Sequence, residues 1–168
     1  MRKICIAYVT ETNTTKEIAD EIGDIAGKRG VIPDVLPLDA VKDIGQYDAF
    51  VIGAPVYGMR WKQEANAFVE KHREALKKVP TAFFLDAYML NNAYKFWQKR
   101  IHACFDKASK FVKPVKTGYF GGRVPDPLPG PMRLIFGVKK DAPLDVRDWN
   151  AIRAWSEELM DMLTSGKA

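Results

Sequence analysis

The chain has little cysteine: two residues in 168, Cys5 and Cys104. They form neither a metal-ligand spacing nor a Cys-x-x-Cys pair, so neither a metal centre nor a disulfide framework is expected. Cys5 lies in an apolar run and Cys104 in a helical pattern, and both read as reduced, small hydrophobes. That suits a reducing cytoplasm. Histidine is equally scarce. His72 and His102 both fall on helical patterns and read as structural or surface residues.

Long apolar runs are missing too. Residues 4–9 follow the charged Met1-Arg2-Lys3, but the run is too short for the apolar region of a signal peptide. No later stretch reaches the length of a membrane span. The expectation is a cytoplasmic chain. The nucleotide loop Gly-x-x-x-x-Gly-Lys-Ser/Thr is absent, as is Gly-x-Gly-x-x-Gly. There is no internal repeat and no low-complexity segment.

The net charge is +5, with a pI near 9.1. The basic residues are scattered, apart from a denser zone over residues 95–116, and no motif that reads DNA or RNA accompanies them. They are read as a solvated helix face, and no nucleic acid partner is expected. With 47% hydrophobic residues the chain can bury a full core as one domain, residues 1–168.

The remaining pattern is an alternation. Apolar, β-branched runs at residues 3–9, 31–38, 49–53, 81–85 and 115–120 read as strands. Pro33 puts the second at a sheet edge. Between them lie helical patterns from about residue 14, with Thr14 and Glu17 fitting a capping box and Gly30 a helix end. Further helices are expected over residues 63–77, 93–112 and 146–163. Residues 121–145 form an insertion whose first part, 121–131, is rich in Gly and Pro and reads as irregular. Strands alternating with helices of this length predict an α/β fold. The architecture expected is a three-layer doubly wound sandwich around a five-stranded parallel sheet of order 2-1-3-4-5. Ligands in such sheets bind beyond the carboxyl ends of the strands, at the switch point. The loops after strands 1, 3 and 4 are therefore the candidates.

The first of these loops holds four threonines and an asparagine in six positions, Thr10 to Thr15, with no Lys or Arg. Neutral hydroxyls and backbone N–H groups gathered at a helix N-terminus suit a monophosphate. The second, Ala54-Pro55-Val56-Tyr57-Gly58 followed by Trp61, offers aromatic rings that can stack on a flat heterocycle. The third, Asp86-Ala87-Tyr88, could close the other face. A phosphate-receiving signalling domain shares this strand order but needs paired acids after strand 1 and an Asp ending strand 3. Those places hold Thr10-Glu11-Thr12 and Gly53-Ala54.

Thr10 to Thr15 resembles the flavodoxin phosphate loop, Ser/Thr-x-Thr-Gly-x-Thr, in its place after strand 1. Asn13 stands where the family usually has Gly, and Asn tolerates a left-handed backbone better than most residues. Gly53 to Gly58 resembles the flavodoxin loop in which an aromatic residue precedes a glycine beside the flavin ring. The resemblance implies an FMN cofactor, with Thr10, Thr12, Asn13, Thr14 and Thr15 on its phosphate and Tyr57 on its ring. It places the Gly58 carbonyl near the flavin N5, where a peptide flip answers the redox state. Ala54, Pro55, Val56, Trp61, Asp86, Ala87 and Tyr88 complete the implied cofactor-binding set, with no side chain assigned a catalytic role.

Within the family, the cadence of residues 68–83, Gly121-Gly122-Arg123 and Asp148-Trp149 is similar to the branch that includes menaquinone-dependent protoporphyrinogen oxidase. Carrier flavodoxins are usually strongly acidic, which this chain is not. Two readings follow from the resemblance: an FMN-dependent oxidoreductase, protoporphyrinogen oxidase-like or quinone-linked, or a flavodoxin-type electron carrier without its own substrate pocket. The partners implied are a redox protein or a quinone. Residues 132–140, apolar between basic flanks, could touch an anionic membrane surface at the inner face.

Overall fold

The computed structural model describes residues 1–164. Five parallel strands form the main sheet: β1 (Lys3–Tyr8), β2 (Ile32–Pro37), β3 (Ala49–Tyr57), β5 (Thr81–Ala87) and β6 (Lys116–Gly121). Their order is β2-β1-β3-β5-β6, which is the expected 2-1-3-4-5 once the short β4 (Arg60–Trp61) is set aside. β4 pairs antiparallel with β3.

The strands read as continuous apolar runs because both faces of the sheet are covered. Alternate residues serve opposite sides. Cys5, Ala7, Phe50, Ile52, Phe83 and Leu85 point into one core. Ile4, Ile6, Val51, Ala82 and Phe84 point into the other. Helices α2 (Gln63–Lys71), α3 (Arg73–Leu76), α4 (Lys95–His102) and α5 (Asp106–Ser109) cover the first face. Helices α1 (Thr14–Lys28) and α7 (Trp149–Thr164) cover the second and pack on each other. Every one of these cores is held by side chains whose full burial contributes roughly 1.5–3 kcal/mol each.

Several elements differ from the sequence expectation. β3 runs to Tyr57 rather than ending at residue 53. The chain turns back through Gly58 (φ 55) and Met59 (φ 58), a two-residue hairpin with both central residues left-handed. The helix expected over 63–77 breaks at His72, whose ring packs at a tilt against Phe68 with centroids 4.7 Å apart. The break lets Leu76 return to the core. The helix expected over 93–112 is divided by a 3-10 turn, Ala103–Phe105, between α4 and α5. The last helix begins at Trp149, where Asp148 caps it by accepting from the Ala151 N–H at 3.0 Å.

The insertion is more ordered than its composition suggests. Its two ends pair, Val124 N–H to the Leu144 carbonyl and Val146 N–H to the Gly122 carbonyl. It carries a seven-residue helix, α6 (Gly130–Phe136), which packs on the start of α4. The Trp97 indole donates to the Ile135 carbonyl at 3.1 Å, and the Tyr94 N–H to the Phe136 carbonyl at 2.8 Å. The Tyr88 hydroxyl donates to the Pro143 carbonyl at 2.8 Å, so the insertion flanks the loop after β5.

Candidate functional site

The three loops singled out by the sequence meet at the carboxyl end of the sheet. β1 leads into Thr10 to Asn13, and the Val9 N–H donates to the Gly53 carbonyl of β3 at 3.1 Å. Asn13 is the N-cap of α1, with φ 65 and ψ −2. It adopts the left-handed conformation that the asparagine was expected to allow, and its side chain makes no cap. The loop then presents hydroxyls at the N-terminus of a fifteen-residue helix. Thr12 and Thr14 hydroxyls lie 3.0 Å apart. The Thr10 Oγ1 is buried and has no partner among the described residues.

An orphaned hydroxyl, a paired hydroxyl and free N–H groups at a helix start fit a phosphate. Thr15 behaves differently. It is buried, as Thr14 is, but its hydroxyl donates to the Asp86 carboxylate at 2.6 Å. Thr15 therefore ties the first loop to β5 instead of facing outward. Burial pushes the Asp86 pKa up to about 6, against the hydrogen bond from Thr15 and the charge of Arg147, which lower it.

The expected capping box does not form. Glu17 turns away from the helix start to two arginines, Arg147 at 2.6 Å and Arg123 at 3.1 Å. Arg147 holds its carboxyl below the usual range. Arg147 also forks onto Asp145 at 2.7 Å, and Arg123 donates to the Thr12 carbonyl at 3.4 Å. These three residues brace the threonine loop from the insertion and from the approach to α7. Sequence reading missed Arg147 because its partner in the first helix, Glu17, lies 130 positions away.

On the other side stands the hairpin. Tyr57 is 73% exposed at its tip, an aromatic ring offered to solvent beside the threonine loop. The Lys62 ammonium lies 5.6 Å from the Tyr57 ring and also pairs with Glu11. This links hairpin to loop. Pro55 and Val56 are half-buried along β3, while Ala54 is buried. Trp61 does not join Tyr57 in the crevice. It is buried, its indole donates to the Phe84 carbonyl at 3.1 Å, and it packs on Phe83 and Phe105. Asp86 and Ala87 are likewise buried, leaving Tyr88 half-buried as the outward member of the third loop.

Residues 5–127 match the family model described as Flavodoxin domain. The chain belongs to the flavodoxin domain family. No curated protein sequence matches it. Among solved structures, it is similar to a short-chain flavodoxin associated with a non-canonical PDU bacterial microcompartment. That pair is 13% identical, with all of each chain covered and a TM-score of 0.66. A flavodoxin of Streptococcus pneumonia TIGR4 is 17% identical over 99% of each chain, with a TM-score of 0.64. A flavoprotein in complex with FMN from Lactobacillus acidophilus NCFM is 12% identical, covering 71% of this chain and 93% of that one, with a TM-score of 0.55. Among the described residues, no helix is long and apolar enough to cross a membrane, and no cluster of three or more His, Cys, Asp or Glu could hold a metal ion.

Proposed function

We propose that the chain binds one FMN and serves as an electron carrier. Its phosphate would sit on the loop of Thr10, Thr12, Asn13 and Thr14, and its ring against Tyr57. The observation that carries the reading is the threonine loop, where a buried hydroxyl lacks a partner and Asn13 takes the left-handed turn. The flavin, once bound, supplies hydride and one-electron chemistry. The chain's own residues bind and orient it. Thr12 and Thr14 offer hydroxyls, Arg123 holds the loop carbonyl, and Tyr57 covers the ring. Asp86 stays behind the loop, shielded by Thr15.

Membership in the flavodoxin domain family and the similarity to flavodoxins favour the carrier over an enzyme with its own substrate. A quinone-linked oxidoreductase is the second reading, and one observation supports it. The α6 surface carries Leu134 at 77% and Ile135 at 59% exposure between Arg133 and Lys139-Lys140. Such a surface suits peripheral contact with anionic lipid, where a lipid quinone would be met. The protoporphyrinogen oxidase-like activity rests on sequence cadence alone.

The test is reoxidation. FMN-loaded, chemically reduced protein is mixed with a protein electron acceptor and, separately, with a water-soluble menaquinone analogue. The carrier reading expects fast transfer to the protein acceptor and no saturation with the quinone. Saturable reoxidation by the quinone would favour the second reading instead.

A further inference from the structure

Behind the β3–β4 hairpin lies a second concavity. It is a cleft of about 830 Å3, bounded by the hairpin and the start of α2 on one side and by α4 and α5 on the other. That size is ordinary for a small-molecule site. It shares Tyr57 with the crevice described above, but includes no residue of the threonine loop or of the loop after β5. Four exposed cations line it: Arg60, Arg100, Lys107 and Lys110. None of them has an ion pair among the described residues. The lining acids are Glu64, which is paired with Lys62 at 3.6 Å, and Asp106. The field in the cleft is therefore positive.

A second observation is independent of charge. Asn66 lines the cleft and is 6% exposed. Its Nδ2 donates to the Trp61 carbonyl at 2.9 Å, which fixes the amide orientation, because only the NH2 side can meet a carbonyl. The Oδ1 then remains a buried acceptor with no partner among the described residues. Buried polar atoms of this kind are few in folded proteins, and each calls for an explanation.

We propose that this cleft binds a phosphorylated small molecule that also carries O–H or N–H donors, the chemistry shared by nucleotides and sugar phosphates. Its phosphates are met by Arg60, Arg100, Lys107 and Lys110, the arginines offering forked contacts to phosphate oxygens. A ligand donor satisfies Asn66 Oδ1 as the exposed side chains at the rim rearrange. The ligand then lies on one side of the hairpin whose tip, Tyr57, faces the proposed flavin on the other. The site does not depend on FMN binding.

The test is calorimetric titration of the FMN-loaded chain with ADP, ribose 5-phosphate and inorganic pyrophosphate. Loading fills the threonine loop, and the titrations are repeated without FMN. The expected result is saturable 1:1 binding of ADP or ribose 5-phosphate, about tenfold or more tighter than pyrophosphate, which lacks the ribose hydroxyls. The tighter of the two identifies the source as nucleotide or sugar phosphate. The double variants Arg60→Ala/Arg100→Ala and Lys107→Ala/Lys110→Ala should each weaken binding about tenfold or more, the second with FMN affinity unchanged. Thr12→Ala should leave it intact. The proposal is overturned by any of three results: no saturable binding up to about 10 mM, affinity unchanged in both double variants, or pyrophosphate binding as tightly as the tighter of ADP and ribose 5-phosphate. Loss of binding in Thr12→Ala would also overturn it, by placing the ligand on the threonine loop. Should FMN fail to bind, the FMN-free titrations decide the question unaided.

Discussion

Asp86 sets a pH dependence that is the reverse of the usual one for a carboxylate. Its folded pKa of about 6 lies above the ordinary value of 3.8, because burial penalises its charge. The folded chain holds this proton more tightly than the unfolded chain does. Asp86 therefore costs stability as pH rises from about 4 through about 6, by an amount on the order of 3 kcal/mol. Glu17 acts oppositely: its pKa is lowered by Arg147, so its contribution is present above its unfolded value and lost in acid. The two are separated by comparing the parent with Asp86→Asn in urea melts at several pH values. The variant's relative stability should grow between about pH 4 and 6 and then level off. A pH-independent difference would contradict the assignment.

Glycine gives a second prediction at this scale. Gly58 and Gly30 both have positive φ, and a Cβ added at either meets nothing within 4 Å. Alanine at each should cost about 1–2 kcal/mol from backbone strain alone. Only Gly58→Ala should also weaken FMN binding, since only Gly58 holds Tyr57 in place. Equal FMN affinity in both variants would argue against the hairpin as part of the site.

Residue types were well read in the sequence, but side-chain direction was not. Four hydroxyls in six positions announced the loop. That Thr15 turns inward to Asp86 depends on a partner 71 positions away. That Trp61 turns inward depends on a hairpin register, and one step along a strand exchanges the two faces.

Among the elements, the strand alternation was legible because both sheet faces are buried and the apolar runs are unmixed. The extension of β3 was hidden by Pro55, which reads as a strand breaker, and by a turn that places Met59 at a left-handed position few residues favour. The α6 segment was hidden by its Gly and Pro flanks, which serve here as its start and its stop: Pro131 in its first turn and Gly137 at φ 75 after its end. None of its residues is buried. Its attachment rests on the Tyr94 N–H, which meets the Phe136 carbonyl, and on Trp97, whose indole meets the Ile135 carbonyl and whose ring lies 5.2 Å from Phe136. Trp97→Ala should release α6 and raise amide exchange over residues 125–143 while the sheet stays protected. Unchanged exchange there would show that the paired ends of the insertion hold it without the helix contact. Leu134→Asp with Ile135→Asp should change stability by less than about 0.5 kcal/mol, as expected of exposed sites, and should abolish any binding to anionic vesicles. Vesicle binding that survives would remove the α6 surface from the account.

For the whole molecule, the charge of +5 bears on partners rather than on fold. If the chain is the carrier proposed above, its charge steers it toward an acidic partner, and salt screens the attraction over about 10 Å at 0.1 M. Electron transfer from the reduced, FMN-loaded chain to an acidic acceptor protein should slow as salt is added. Transfer to a basic one such as cytochrome c should quicken. The same trend for both would mean that docking is not steered by charge.

Titration of the chain with FMN, followed by flavin fluorescence, reads the flavin site itself. Quenching is expected at one FMN per chain with a Kd below about 1 µM, weakened about tenfold or more in Thr12→Ala. FMN that stays fluorescent at micromolar chain, or that binds equally well to Thr12→Ala, would contradict it.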